Sequence, residues 1–175
     1  VPTYDYKKNL SLIGTNNVQL EFLKQISLND NKKAIFLNSP EYAKTLIEKA
    51  DIRNHSKIYC SNQENAINKL HEDGYKASDS FVSGEILEQY SFFTSRFYSA
   101  VDLDTPDKPD IIMVTDCLNK QQTMIDPFTH SVQITGRFRS GIGNITHITN
   151  WKEGLKPKSR EEIIEDMEAQ RKVYN

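Results

Sequence analysis

The sequence predicts an α/β fold with a mostly parallel central sheet that helices cover on both faces. Short apolar runs typical of strands alternate along the chain with segments that have helical periodicity. Two of these runs, 33–37 (KAIFL) and 110–115 (DIIMVT), are almost continuously apolar, as expected for strands buried on both faces of a parallel sheet. The 175 residues suffice for one compact domain with a short appendage.

The first predicted helix spans 17–26, where apolar residues recur at helical spacing. It is followed by the strand at 33–37, which runs into Asn-Ser-Pro. Ser39 can cap the next helix because its hydroxyl accepts a hydrogen bond from an N–H of the first turn, and Pro40 suits that turn. This helix is therefore predicted to begin at Pro40 and to continue through Ile47.

A second strand–helix unit follows, with a strand over 57–60 (KIYC) and a helix over 63–71. Either Ser61 or Asn62 can cap that helix. The remaining predicted elements are a short strand near Tyr75, a small helix over 83–89, strands over 91–94 and 110–115, a helix over 126–138 and a strand over 145–148. Connections between parallel strands are expected to be right-handed crossovers.

The chain is predicted to divide into a main domain, 1–150, and a linker with a charged C-terminal helix, 151–175. Residues 152–157 have the composition of a linker. Ser159 can cap a helix over 159–172, whose first turn is acidic as the helix dipole favours. The apolar face of this helix is thin and consists of Ile163, Ile164 and Met167. We expect it to pack lightly on the domain or to lead into another one.

The composition restricts the class of protein. A formal net charge of -2 excludes a uniformly basic nucleic-acid binder, although a local basic groove stays open. No apolar run approaches the about 20 residues that span a bilayer, and no signal peptide is evident, so a cytoplasmic protein without a membrane partner is predicted. Cys60 and Cys117 are interpreted as reduced core thiols. The chain begins with Val rather than Met, which suggests a fragment or a processed product.

The motifs of several enzyme classes are absent from the sequence, which contains no GxxxxGK[ST], GxGxxG, GxSxG or HExxH. The four histidines lack ligand spacing, so no metal site is predicted. One segment, 131–141 (SVQITGRFRSG), places Arg137 and Arg139 beside Gly136. Guanidinium groups match phosphate oxygens in a bidentate way, which favours a phosphate site. A C-capping glycine followed by surface arginines is the alternative.

This segment resembles motif VI of superfamily 2 (DEAD/DEAH-like) helicases, which has the pattern Gln-x-x-Gly-Arg followed by a second basic residue. Gln133, Gly136 and Arg137 match that pattern. The family usually places its second arginine where this chain has Ser140, and Arg139 stands one position earlier. The resemblance implies that Arg137 and Arg139 are arginine fingers for the γ-phosphate of ATP. It also places Gln133 and Gly136 at the ATP site.

Two further segments resemble motifs of the same family in the same order. Residues 92–103 (FFTSRFYSAVDL) are similar to motif V, with Thr94 and Asp102 matching and Ala100 in place of the usual glycine. The resemblance implies that Thr94 and Ser95 contact the nucleic-acid backbone, and that Asp102 lies near the ATP ribose or couples the two sites. A hydroxyl at a strand end can equally bind a phosphate or cap a turn.

Residues 34–39 (AIFLNS) resemble motif IV, which implies nucleic-acid contacts by Asn38 and Ser39. Ligands of open α/β sheets bind beyond the carboxyl ends of the strands. Asn38, Ser39 and Thr94 all follow predicted strands, so we expect them at one edge of the sheet.

The resemblance implies a three-layer RecA-like (Rossmann-like) domain, the second of the two in a helicase or translocase. ATP and Mg²⁺ would be held mainly by the N-terminal RecA-like domain of the same parent chain, and DNA or RNA would bind through its phosphate backbone. The chain alone is then expected neither to hydrolyse ATP at a useful rate nor to unwind a duplex. Two alternatives stay open: a helicase-like module that binds DNA or protein without ATP turnover, and an unrelated Rossmann-like enzyme or nucleotide-binding domain.

Overall fold

A computed structural model describes residues 9–99, 101–126, 129–154, 159–162, 164, 165 and 168. The strands of the described part are β1 Leu10–Gly14, β2 Lys33–Phe36, β3 Ser56–Tyr59, β4 Lys76–Ser78, β5 Tyr90–Phe93, β6 Asp110–Val114 and β7 Ile145–Thr149. The α-helices with assigned bounds are α1 Val18–Ile26, α2 Pro40–Ala50, α3 Ala66–Glu72, α4 Arg96–Ser99 and α5 His130–Gly136. Short 3₁₀ turns precede β3 and α3, and a third follows β6.

The seven strands form one sheet in the order β1-β7-β6-β2-β5-β3-β4, and every pair in it is parallel. Helices α1, α2 and α3 pack on one face of the sheet, called here the α1 face. Helices α4 and α5 and the segment 81–87 pack on the other, the α5 face. The predicted α/β class with a parallel central sheet is therefore confirmed, and the three layers are consistent with a RecA-like or Rossmann-like fold.

Alternating apolar side chains of the central strands fill both interfaces of the sheet with its helices. Ile35 and Phe92 belong to the core of the α1 face, and Phe36 and Phe93 to the core of the α5 face. Register pairs Phe36 with Phe93 and Phe93 with Tyr59, and the rings of these pairs stack at 5.1 and 4.6 Å between centroids. Burial on both faces explains why β2 and β5 are mostly apolar.

The predicted cap of the second helix is confirmed. The Ser39 hydroxyl accepts a hydrogen bond from the backbone N–H of Tyr42 at 3.1 Å, and Pro40 is the first residue of α2. Asn17 caps α1 in the same way, accepting from the N–H of Leu20 at 3.2 Å. Local capping chemistry therefore sets where both helices begin.

The helix predicted over 83–89 is wrong: this segment is an irregular loop. The Glu85 carboxylate accepts hydrogen bonds from Lys57, Tyr59 and the Val82 N–H, at 2.5, 2.7 and 3.1 Å. The N–H of Leu87 donates to the Asp107 carboxylate at 2.8 Å. A side chain from another segment thus occupies a backbone donor that would otherwise form a hydrogen bond within a helix.

The helix predicted over 126–138 is shorter, since α5 covers only His130–Gly136. The carbonyl of Arg137 accepts from the Leu103 N–H at 2.9 Å, and Leu103 and Phe138 form a parallel β-bridge. This pairing takes the backbone out of the helix after Gly136. Pro127 and Phe128, within the predicted helix, lie outside the described residues.

A buried ion pair lies at the amino ends of β2 and β6. Lys33 is 1% exposed, and its Nζ lies 3.3 Å from the Asp110 carboxylate. The same Nζ donates to Asn29 Oδ1 at 2.5 Å and to the Asn31 carbonyl at 2.7 Å. Burial acts to raise the pKa of Asp110, but hydrogen bonds from the Asn144 N–H and Asn29, with the charge of Lys33, hold it below its ordinary value. Both charges are thus compensated within the protein.

Gly143 lets the chain pass close to this ion pair. A Cβ at position 143 would clash with the Asp110 carboxylate. We expect Gly143→Ala to lower the free energy of unfolding by about 1–3 kcal/mol, measured by urea denaturation, because overpacking displaces neighbouring groups. Gly136→Ala is the matched control, because a Cβ there meets nothing within 4 Å and φ is not positive. Equal denaturation midpoints for both variants would contradict this prediction.

Candidate functional site

The carboxyl ends of β2 and β5 bring four of the predicted site residues together. Asn38 Oδ1 accepts a hydrogen bond from the Ser95 N–H at 3.4 Å, which joins the segment after β2 to that after β5. Ser39 and Thr94 are buried, and the Ser39 hydroxyl is engaged in capping α2. Ser95 is exposed and Asn38 half-buried, so these two are the accessible members of the group. What they bind stays a prediction.

The other predicted residues form a charged group named here the arginine cluster, consisting of Asp102, Arg137 and Arg139. Arg139 donates to Asp102 Oδ2 at 2.8 Å, and Arg137 donates to Oδ1 at 3.4 Å. The β-bridge between Leu103 and Phe138 holds the two segments side by side. Two guanidinium groups share one carboxylate, which leaves one net positive charge in the cluster.

The two arginines differ in their surroundings. The Arg137 side chain is 27% exposed and that of Arg139 is 59% exposed. Within the described part of the chain, the Nε atom of Arg137 is buried without a hydrogen-bond partner. A buried donor left unpaired costs about 1–3 kcal/mol. Its contact with Asp102 is also the longer of the two, so the described part of the domain leaves Arg137 less fully hydrogen-bonded at that carboxylate than Arg139.

Gly136 and Gln133 lie on the exposed side of α5 next to this cluster. Gly136 is the last residue of the helix and does not have a positive φ, so it is not a C-capping glycine in the left-handed conformation. Neither its backbone geometry nor its packing against the described residues requires glycine there. Glycine inside a helix is less stable than alanine by about 0.5–1 kcal/mol. The surface beside Arg137 is therefore left open at some cost to the helix.

The arginines control the ionisation of Asp102. The hydrogen bond from Arg139, followed by the charges of Arg139 and Arg137, holds the pKa of Asp102 below its ordinary value. We expect Arg139→Ala to raise this pKa more than Arg137→Ala does, in an NMR titration of the side-chain carboxyl carbons. Because the folded-state pKa is depressed, the ion pairs stabilise the fold above the unfolded-state pKa and lose that effect as pH falls through the folded value.

Asp107 provides the control for this titration. Its pKa is also held low, by the Leu87 N–H and by Lys32 against the effect of burial, and neither contact involves the arginine cluster. It should titrate alike in both variants. If neither variant moves the Asp102 titration, the arginines do not contact that carboxylate in solution.

Sequence reasoning missed a buried carboxylate at the same edge of the sheet. Asp116 follows β6 and is almost fully buried. It accepts hydrogen bonds from the Tyr42 hydroxyl, Asn119 and Asn150, at 2.5, 2.9 and 3.2 Å. The network ties the first turn of α2 to the ends of β6 and β7. An acid directly after a buried strand was the available signal, but two of its three partners, Tyr42 and Asn150, lie 74 and 34 positions away in sequence.

Other chemistries receive little support from the described residues. They include no group of three or more His, Cys, Asp or Glu side chains that could hold a metal ion. Both cysteines are free, and burial raises the pKa of Cys60 to about 11, which disfavours a thiolate nucleophile. No helix in the described ranges is both long and apolar enough to cross a bilayer. Comparisons with protein-family models, curated proteins and solved structures gave no match.

Proposed function

We propose that this chain is the C-terminal RecA-like domain of a superfamily 2 nucleic-acid helicase or translocase, working in the cytoplasm. It would supply Arg137 and Arg139 to an ATP site completed by the N-terminal RecA-like domain of the parent protein. The observation that carries the proposal is the arginine cluster, in which two guanidinium groups lie on one exposed carboxylate beside an open glycine. The order of the three sequence motifs supports it.

The charges of the cluster suit an arginine finger. Asp102 keeps two like charges together in the free domain, so the guanidinium groups are positioned before ATP arrives. A γ-phosphate carries more negative charge than one carboxylate and offers paired oxygens to a guanidinium fork. We expect Arg137 to leave Asp102 for the phosphate when the two domains close, and Arg139 to assist. Charge developing on the transferred phosphoryl group would then be stabilised by fixed donors.

The open surface at Gly136 suits the same role. A helix that ends in glycine beside Arg137 lets nucleotide or partner-domain atoms approach the backbone closely. Gln133 is exposed near it and can contact the same ligand. ATP and Mg²⁺ would be held mainly by the N-terminal domain, because this sequence contains no phosphate-binding loop.

The nucleic-acid surface in this proposal is the edge formed by Asn38 and Ser95. Both carry side chains that can donate hydrogen bonds to phosphate oxygens, and both are accessible. Ser39 and Thr94 are buried next to these two residues and would support that edge from inside the domain. Such contacts read no base identity, so DNA and RNA are both candidate ligands.

The test is ATP hydrolysis by the full-length parent protein with and without single-stranded DNA or RNA. We expect nucleic acid to stimulate hydrolysis, and the series Gly136→Ala, Gly136→Leu to reduce the stimulated rate progressively with side-chain size. Thermal melting of each variant controls for folding. Nucleic-acid binding without ATP turnover would contradict the helicase proposal and favour a helicase-like binding module. Micromolar binding of free nucleotide by the isolated chain would favour an unrelated Rossmann-like domain.

A further inference from the structure

The edge strand β1 carries apolar side chains that remain exposed in the described part of the chain. Leu10 and Leu12 are in register with Ile145 and His147 of β7, and Ile145 belongs to the core of the α5 face. Leu12 is nevertheless 62% exposed and Leu10 38%. We call this pair the β1 strip. Parallel sheets are normally covered on both faces, whereas the described residues leave the outer layer of the α5 face incomplete at β1.

The chain that leaves β7 turns onto this same face. The Trp151 ring lies against Gly14, with its Cε3 atom 3.0 Å from the position that a Gly14 Cβ would take. The backbone N–H of Trp151 donates to Asn16 Oδ1 at 3.0 Å, which fixes the main chain beside the ring. Gly14 shares its face of β1 with the β1 strip, because side chains alternate along a strand. A turn at 153–154, with Gly154 at φ 78°, then redirects the chain.

A helix with an exposed apolar residue, Ile164, begins a few residues further along the chain. Ser159 and Glu162 form a capping box, with Ser159 Oγ accepting from the Glu162 N–H at 3.2 Å and the Ser159 N–H donating to Glu162 Oε2 at 2.6 Å. Residues 160–162, 164, 165 and 168 are helical and exposed, including Ile164, at 46%. The helix is thus well started, and its described side chains are exposed.

The dimensions allow this helix to reach the β1 strip. Residues 152–158 can span roughly 23 Å when extended, more than the spacing of about 10 Å between packed layers. An α-helix of nine residues is roughly 13 Å long, and the five residues of β1 cover roughly 16 Å. A tether of this length gives a local concentration on the order of millimolar, which favours the attached helix over an occupant in free solution.

We propose that the helix beginning after Ser159 docks on the β1 strip, with Ile164 against Leu12 and beside Trp151. Docking would bury the exposed apolar surfaces of both elements and complete the outer layer of the α5 face. It would also fix the direction in which the chain continues from this domain. The inference does not depend on the proposed helicase function.

Trp151 is the only tryptophan in the 175-residue chain and reports on this contact directly. Its emission maximum and its quenching by acrylamide would be measured for the wild type, Ile164→Asp and Leu12→Asp at several protein concentrations. Both substitutions should shift the emission to longer wavelength and increase quenching, and the double variant should match the single ones. Leu20→Asp, at an exposed leucine of α1 on the opposite face, should change neither quantity.

Two results would overturn the proposal. One is an Ile164→Asp variant whose emission and quenching equal those of the wild type, since the helix would then not cover Trp151. The other is a wild-type signal that changes with protein concentration, since a second copy of the chain would then be the occupant. Thermal melting separates undocking from unfolding, because Ile164→Asp changes an exposed position outside the core.

Discussion

Under the proposed helicase function, replacing Arg137 with alanine is expected to slow nucleic-acid-stimulated ATP hydrolysis about 10³–10⁵-fold. The loss corresponds to about 4–7 kcal/mol of transition-state stabilisation. Such a loss follows if the guanidinium group contacts the transferred phosphoryl group, where negative charge develops in a site that excludes water. Loss of the ion pair itself should change the stability of the domain little, since the contact with Asp102 is long and that carboxylate is exposed.

The measurement is the turnover number at saturating ATP and nucleic acid, with nucleic-acid affinity determined separately. Arg137→Lys should recover only part of the rate, because lysine keeps the charge but loses the planar fork. Lys69→Ala is the matched control, since Lys69 is an exposed cation on α3 at the opposite face of the sheet. A stimulated rate for Arg137→Ala within a few-fold of that of Lys69→Ala would remove Arg137 from the ATP site.

Replacing Lys33 with methionine is expected to destabilise the fold by about 3–5 kcal/mol at neutral pH. Methionine resembles the lysine side chain in length, so the main change is the loss of the ammonium group. Asp110 would then keep its negative charge in a buried position without its cationic partner. Urea denaturation at pH 7 measures the effect.

The control for this prediction is the neighbouring residue. Lys32 pairs with Asp107 in a more exposed position, so Lys32→Met should cost less than about 1 kcal/mol. The Lys33→Met deficit should also shrink as pH falls, because protonation of Asp110 removes the uncompensated charge. The wild type should instead lose stability as pH falls. Because the pKa of Asp110 is depressed in the folded state, ionised Asp110 stabilises the fold above the unfolded-state pKa, and this effect is lost in acid. Equal losses for the two lysine variants would show that burial of the pair has no energetic consequence.

The elements that sequence analysis predicted well are those whose cause is local. The strand β2 and the helix α2 follow from an apolar run, the hydroxyl of Ser39 and the ring of Pro40, all within a few residues. The buried strand β6 follows from its own composition. Hydrophobic burial on both faces and capping act through the residues themselves, so a pattern along the chain is sufficient to indicate them.

The errors occur where distant groups decide the local structure. β1 was not foreseen, because this short and largely exposed edge strand forms only by pairing with β7, far along the chain. The false helix over 83–89 has acceptable helical composition, but Lys57 and Asp107 hold it as a loop. The buried partner of Asp110 was missed for the same reason, since a lysine at the start of a strand gives no sign of burial.

The sequence by itself determined the class of the fold, the strands and helices of the central units, and which polar residues follow the strands. Only the tertiary structure decided that Asp102 lies between Arg137 and Arg139, which are 35 and 37 positions away. It alone decided that Thr94 is buried while Ser95 is accessible. The physical reason is the same in each case: periodicity and capping depend on near neighbours, whereas ion pairing and burial depend on how the chain brings distant segments together.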